Sequence, residues 1–337
     1  MTDAVAVVLW MGVMLYAVFG GADFGAGFWD LVAGGGERGA RPRALIDATI
    51  APVWEANHVW LIFSLVMLWT GFPTGFASLT STLFVPLTVA AFGIVLRGSG
   101  FAFLRVSTRL GPGRAYRAYR GVFALSSVVT PFFLGAVAGA IASGRVPVGN
   151  ANGGLVSSWV SPVSMLGGVL AVVTCAYLAA VFLVAEARHR NAPDLESYFR
   201  VRALGAAVVA GLVALGGIAV LDNDAHHLFV RLTHAALLLV VVSAVCGIGA
   251  VAALLRNAAR LARVLAVGAV VAVIGGWGVA QYPYLLGTHL RLDTASAPDA
   301  TLVALLSVFG VAVLTCGPAL VLLYVLAQRG RLEHAGP

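Results

Sequence analysis

The 337-residue chain contains no lysine, and Asp, Glu and Arg together make up only 10% of it. Soluble domains carry roughly 25% charged residues, so so sparse a charge excludes a water-facing enzyme. Cysteine is nearly absent: Cys175, Cys246 and Cys316 lie far apart inside apolar runs, without the close spacing of a redox pair or a zinc site. They are expected to be inert packing residues. The segment after Met1-Thr2-Asp3 has no basic lead, and its apolar run continues to about residue 32, too long for a secretory signal, so it is expected to be retained. Long structureless or polar stretches are missing too, which leaves no room for a sizeable domain outside a bilayer.

What remains is apolar: 60% of the residues are hydrophobic, 40 are glycine, and the mean hydropathy is +0.96. Stretches of spanning length fall near 4–32, 48–71, 79–104, 121–143, 162–186, 203–221, 228–255, 262–285 and 301–327. Clusters such as GGGERGARPR, GPGRAYRAYR and VPVGNANGG separate them as breakers. The expected fold is all-α: about nine transmembrane helices packed as bundles, one integral membrane domain over 1–337.

Orientation follows from arginine. Alternate loops and the C-terminal tail hold Arg38, Arg41, Arg43, Arg105, Arg109, Arg114, Arg117, Arg120, Arg188, Arg190, Arg200, Arg202, Arg256, Arg260, Arg263, Arg329 and Arg331, whereas the other side holds only Arg145, Arg231 and Arg291. Basic residues near span ends stay cytoplasmic, so the N-terminus is expected outside and the C-terminus inside. The isoelectric point near 9.8 is thus a topology signal, with no nucleic-acid partner implied.

Charged groups at membrane depth cost about 2.5–3.5 kcal/mol each and usually face partners or a water path. Asp23 and Asp30 stand seven residues apart on the first span; Asp47, Glu55 and His58 belong to the second; Arg97 is near the end of the third. Opposite chain directions bring Asp23, Glu55 and Arg97 to similar heights, and Glu55 and His58, three apart, share one face. Asp47, Asp23, Glu55 and His58 are the candidate proton pathway, with Arg97 as their charge partner. The alternative is that Arg97 only neutralises Asp23 or Glu55 and fixes helix register. A metal site is not expected: Glu55 and His58 have a Glu-x-x-His spacing but no second copy to complete it.

Elsewhere, His226 and His227 with Asp222 and Asp224 read as solvated surface or an opportunistic cation site, His234 as a core histidine or a haem ligand, and Glu186 as an ion-pair partner of nearby arginines. Trp60 falls near mid-membrane, away from the interfacial belt, and suggests helix packing. Gln281-Tyr282-Pro283-Tyr284 reads as a turn.

TIAPVWEANHVWLI (49–62), GADFGAGFWDL, LRGSGFAF and AQYPYLL resemble the motifs of subunit II of cytochrome bd-type quinol oxidases. The resemblance implies a multi-pass subunit of a bacterial plasma-membrane quinol:dioxygen oxidoreductase, not catalytic alone. It implies a partner subunit I that holds b-type haems, with a d-type haem as a further option, and a small accessory subunit; quinol is the substrate of the complex, and this chain ligates no cofactor or metal. Glu55 matches the acid after Pro-x-Trp implicated in proton delivery, and Trp60 the tryptophan near the oxygen route and subunit interface. The chain departs from the usual pattern where Gly20, Gly21 and Ala22 precede Asp23, leaving one acid of Asp-Gly-Phe-Asp. It looks like a divergent, short branch. The rival class is a proton-coupled secondary transporter.

Overall fold

The computed structural model describes residues 1–34, 36–50, 54–108 and 113–328, and within these leaves aside the side chains at 36, 37, 54–56, 105, 107, 108, 320, 321, 323, 324 and 326–328. Glu55 therefore has a described helical backbone, while its side chain lies outside the described residues.

The first span is composite: α1 (Thr2–Leu15), a π-helical turn at Tyr16–Gly20, and α2 (Gly21–Leu31). The polar helix α3 (Gly36–Ile50) follows, then α4 (Trp54–Gly71) and α5 (Pro73–Thr82), which turns off α4 by 117°. Pro73 opens α5 because it lacks the N–H that a continuing helix would need. Next come α6 (Phe84–Thr108), α7 (Arg114–Ala142), α8 (Pro162–His189), α9 (Pro193–Asp224), α10 (His226–Thr233), α11 (Leu237–Leu255) and α12 (Ala259–Gln281). A small antiparallel ribbon, β1 (Tyr284–Leu286) with β2 (Leu290–Arg291), and the one-turn α13 (Leu292–Ala295) lead into α14 (Asp299–Gln328). Among the described residues, eight helices are long and apolar enough to cross a membrane, and the bent α4–α5 pair makes a ninth where it is counted as one broken span.

Two sequence expectations need correction, and a third, the single stretch 48–71, crosses residues 51–53, which lie outside the described residues between α3 and α4. The stretch 79–104 is divided after Thr82, and 228–255 is divided at His234 into a short polar α10 and the spanning α11.

Helix α8 is the axis of the main core. Its Ala176–Val184 stretch is buried on every side, against α2, α7, α9 and α12. Without a strong hydrophobic drive between helices in lipid, small residues provide close packing. A Cβ on Gly25 would lie 1.8 Å from the Cys175 carbonyl oxygen, and one on Gly135 2.3 Å from that of Gly167. Trp29 ties the same seam by donating from Nε1 to the Ala176 carbonyl at 2.7 Å. The second core joins α1 and α4 to the β ribbon and the start of α14. By contrast, α9, α11 and α14 show broad bare apolar faces, such as Val201, Val208, Leu212 and Leu215 on α9.

Candidate functional site

Two buried groups of charge lie along one face of α2. Asp23 and Asp30 are two helical turns apart, about 10 Å along the axis; Asp30 meets Arg120 of α7 directly, whereas Asp23 meets Arg97 of α6, which Ser127 of α7 also holds. Arg120 and Ser127 are also seven apart, so the neighbouring α7 supplies a polar group at each of the two levels.

At the deeper level, Arg97 of α6 grips Asp23 with both arms of the guanidinium. Nη1 donates to Oδ2 at 2.9 Å, and Nη2 donates to Oδ1 at 2.7 Å and to the Asp23 carbonyl at 3.2 Å. Nε donates to Ser127 Oγ at 2.9 Å, and that hydroxyl donates to the Phe123 carbonyl at 2.7 Å. The rings of Phe24 and Phe123 cover the guanidinium at 4.8 and 5.0 Å. Arg97 is 1% exposed and Asp23 4%. A fork-to-fork ion pair with aromatic lids is among the strongest arrangements for a buried arginine. Gly27 makes room for Ser127: a Cβ there would stand 2.2 Å from its hydroxyl oxygen.

Nearer the arginine-rich end, Arg120 of α7 bridges two acids. It bonds Asp30 through Nη1 and donates from Nη2 to Asp47 of α3 at 2.7 Å. Arg43 of α3 approaches Asp30 at 3.5 Å, and the Tyr116 ring lies 5.3 Å from the Arg120 guanidinium. Here burial is graded: the Asp30 side chain is 1% exposed and that of Asp47 38%. This cluster reaches water, whereas the Arg97 pair does not.

Of the sequence candidates, Asp23 and Arg97 are brought into direct contact, and His58 packs edge-on against Phe24, 6.4 Å between centroids, beside that pair. Asn57 donates to the Phe19 carbonyl at 3.3 Å, fastening α4 to the π turn. Asp47 is not in this group; it belongs to the Arg120 cluster. Trp60 is half-buried, its ring edge-on to Phe63 at 6.4 Å, and Phe63 in turn meets Phe309 of α14 at 5.6 Å. Sequence reasoning missed Arg120 and Ser127, which it counted as loop and ordinary span residues. Their seven-residue spacing, equal to that of Asp23 and Asp30, was the available signal.

No group of three His, Cys, Asp or Glu side chains among the described residues converges as a metal site. At the arginine-poor end Asp222 pairs with His226 at 2.9 Å, and Asp224 with Arg145 at 2.5 Å. His227 sits apart from them: burial, with His289 and Arg231 adding repulsion, holds its pKa below the ordinary 6.5. His234 is engaged at Nδ1 with its own helix's Val230 carbonyl at 2.7 Å and is solvent-exposed, a poor fit to a haem ligand. Glu186 accepts from Arg190 at 2.6 Å, one turn along α8. Gln281 donates to the Gly287 carbonyl at 2.7 Å, so the end of α12 is tied into the β ribbon.

A sequence-family description, cytochrome bd terminal oxidase subunit II, matches residues 1–327. The chain belongs to that family. Among relatives, it is 29% identical over 156 residues to the cytochrome bd ubiquinol oxidase subunit 2 of Bacillus subtilis (strain 168), covering 46% of this chain and 44% of that one. It is 22% identical over 234 residues to the putative cytochrome bd menaquinol oxidase subunit II of the same organism, covering 68% and 65%. The matched stretch thus spans less than half of one relative and 65% of the other. The structure of the bd oxidase from Geobacillus thermodenitrificans shares the fold, with a TM-score of 0.76 at 24% identity over 96% of this chain and 98% of that one.

Proposed function

We propose that this cytochrome bd subunit II works as the haem-free partner in a quinol:dioxygen oxidoreductase, admitting protons from the arginine-rich side toward haems held by subunit I. The observation that carries the reading is the two-level charge arrangement on α2: a partly hydrated acid cluster at the rim and a sealed ion pair about 10 Å deeper. The relatives' names, a ubiquinol oxidase subunit and a putative menaquinol oxidase subunit, support the class of reaction.

In this reading Asp47 and Asp30 form the mouth of the route, where Asp47 exchanges protons with water and Arg120 holds the two acids together. The Arg97–Asp23 pair is net neutral and fixes the wall of the route without being a barrier of like charge to a passing proton. Glu55, at the head of α4, is the carrier toward the partner subunit, and His58 is a neighbouring acceptor. A carboxylate serves such a step because it takes and gives up a proton at modest driving force. Trp60, with Phe63 and Phe309, lines the apolar side of α4, where oxygen access and contact with subunit I are assigned. The neighbouring faces support docking: Val59, Ile62, Val66 and Trp69 of α4 and Phe92, Val95 and Leu96 of α6 are bare and apolar.

The haems supply electron transfer and oxygen chemistry when bound in the partner; this chain's own contribution is to hold the partner, exclude bulk water and move protons. The test is gentle purification of the chain with whatever accompanies it, followed by a reduced-minus-oxidised visible spectrum and oxygen consumption with quinol. A haem-bearing membrane subunit and quinol-dependent oxygen uptake are expected. A colourless chain without a partner contradicts the reading.

A further inference from the structure

The π turn at Tyr16–Gly20 interrupts the first span near its middle. Such a turn adds one residue to the helix. Residues eight apart, about 80° out of line in a regular helix, therefore return to within about 20° of one another. Tyr16 and Phe24 are eight apart, and their rings meet edge to face at 6.4 Å. The Tyr16 ring also covers Gly20, where a Cβ would stand 2.9 Å from it. The ring is thus held in one place by the turn that contains it.

Its hydroxyl is buried and has no hydrogen-bonding partner among the described residues. An unpaired buried hydroxyl costs about 1–3 kcal/mol, and in the hydrocarbon layer no lipid group relieves it. Buried water bound to polar groups is the ordinary remedy. The surroundings are those of the proposed route. His58 packs on the same Phe24 ring, the Arg97 guanidinium stacks on that ring too, and Asp23 and Arg97 act electrostatically on Tyr16. Asn57 fastens the carbonyl of Phe19, in the same turn, to α4. Gly20, Gly21 and Ala22 give this stretch no carboxylate before Asp23.

We propose that the Tyr16 hydroxyl binds an internal water at mid-membrane and relays protons between the Arg97–Asp23 level and the rest of the route. This rests on the proton-delivery reading above. In the relay, the phenol oxygen takes a proton from the water on one side as its own proton passes to water on the other. One O–H bond forms, one breaks, and tyrosine remains neutral, so no oxidant or external base is consumed.

The experiment compares wild type, Tyr16→Phe and Glu55→Gln in the complex purified with its haem-bearing partner, measuring quinol-driven oxygen consumption in H2O and D2O. Tyr16→Phe keeps the ring over Gly20 and against Phe24 and removes only the hydroxyl. We expect turnover to fall about tenfold with a larger solvent isotope effect, while yield and haem spectrum stay unchanged. Normal turnover and isotope effect in Tyr16→Phe, with Glu55→Gln slowed, overturns the tyrosine relay and leaves the route standing. Normal behaviour in both overturns the route and the relay together. Should Tyr16→Phe fail to assemble, a high-resolution map of the wild-type complex decides: water density about 3 Å from the hydroxyl supports the relay, and a dry hydroxyl overturns it.

Discussion

The two charge groups on α2 use the same chemistry, aspartate with arginine, at two depths, and their construction differs accordingly. Around Asp23 every acidic oxygen and every face of Arg97 is engaged, by Ser127, by the aspartate fork and by two phenylalanine rings. Around Asp30 one arginine is shared between two acids, a second arginine stands at 3.5 Å, and Asp47 remains partly open to water. A fully paired site cannot exchange protons readily, because protonating the aspartate strands the arginine as a buried charge. A shared, half-hydrated site can. The deep pair therefore reads as architecture, and the rim cluster as the mouth of the route.

The largest effect that would break this comparison is at the deep level. Asp23→Ala leaves the Arg97 charge buried and alone, and stability should fall by about 3–5 kcal/mol, seen as loss of purified complex. Adding Arg97→Met should recover much of the yield, which a purely proton-carrying Asp23 would not explain. Gly25→Ala comes next: its Cβ meets backbone, not a movable side chain, so a loss of about 3 kcal/mol or more is expected in thermal unfolding of the detergent-solubilised protein. Gly27→Ala should be milder, about 1–3 kcal/mol, and should loosen Arg97 by displacing Ser127.

At the rim the same kind of change should spare the fold. Asp47→Asn should alter stability by about 1 kcal/mol or less while slowing proton uptake measurably; equal damage to fold at both levels would erase the distinction. The smallest effect lies outside the spans. His227 has a depressed pKa in the folded chain, so below about 6.5 the unfolded chain binds more protons and stability declines as the pH falls. Its contribution is complete above that pH. His227→Gln should flatten this dependence in unfolding measured from pH 7 to 5, and an unchanged slope would assign the acid sensitivity elsewhere.

Much of this was legible in the residues. Long apolar runs and one-sided arginines are strong signals because the bilayer imposes length and charge rules on every span, and they located the spans apart from the starts of α6 and α11. Asp23 and Arg97, which opposite chain directions bring to similar heights, are in direct contact. What was hidden depends on pairing between distant helices. Arg120 looks like one more arginine of the loops until α7 is seen to lie against α2, with its guanidinium on Asp30 and Asp47. The π turn has no sequence signature at all, and with it Tyr16 escaped notice.

The central claim is that acids of the first spans deliver protons to chemistry performed in the partner subunit. The most direct test is proton uptake from the arginine-rich side during a single turnover of the reconstituted complex carrying Glu55→Gln. Slow uptake with an unchanged haem spectrum is the predicted result; uptake at the wild-type rate, or slow uptake accompanied by loss of haem, contradicts the claim.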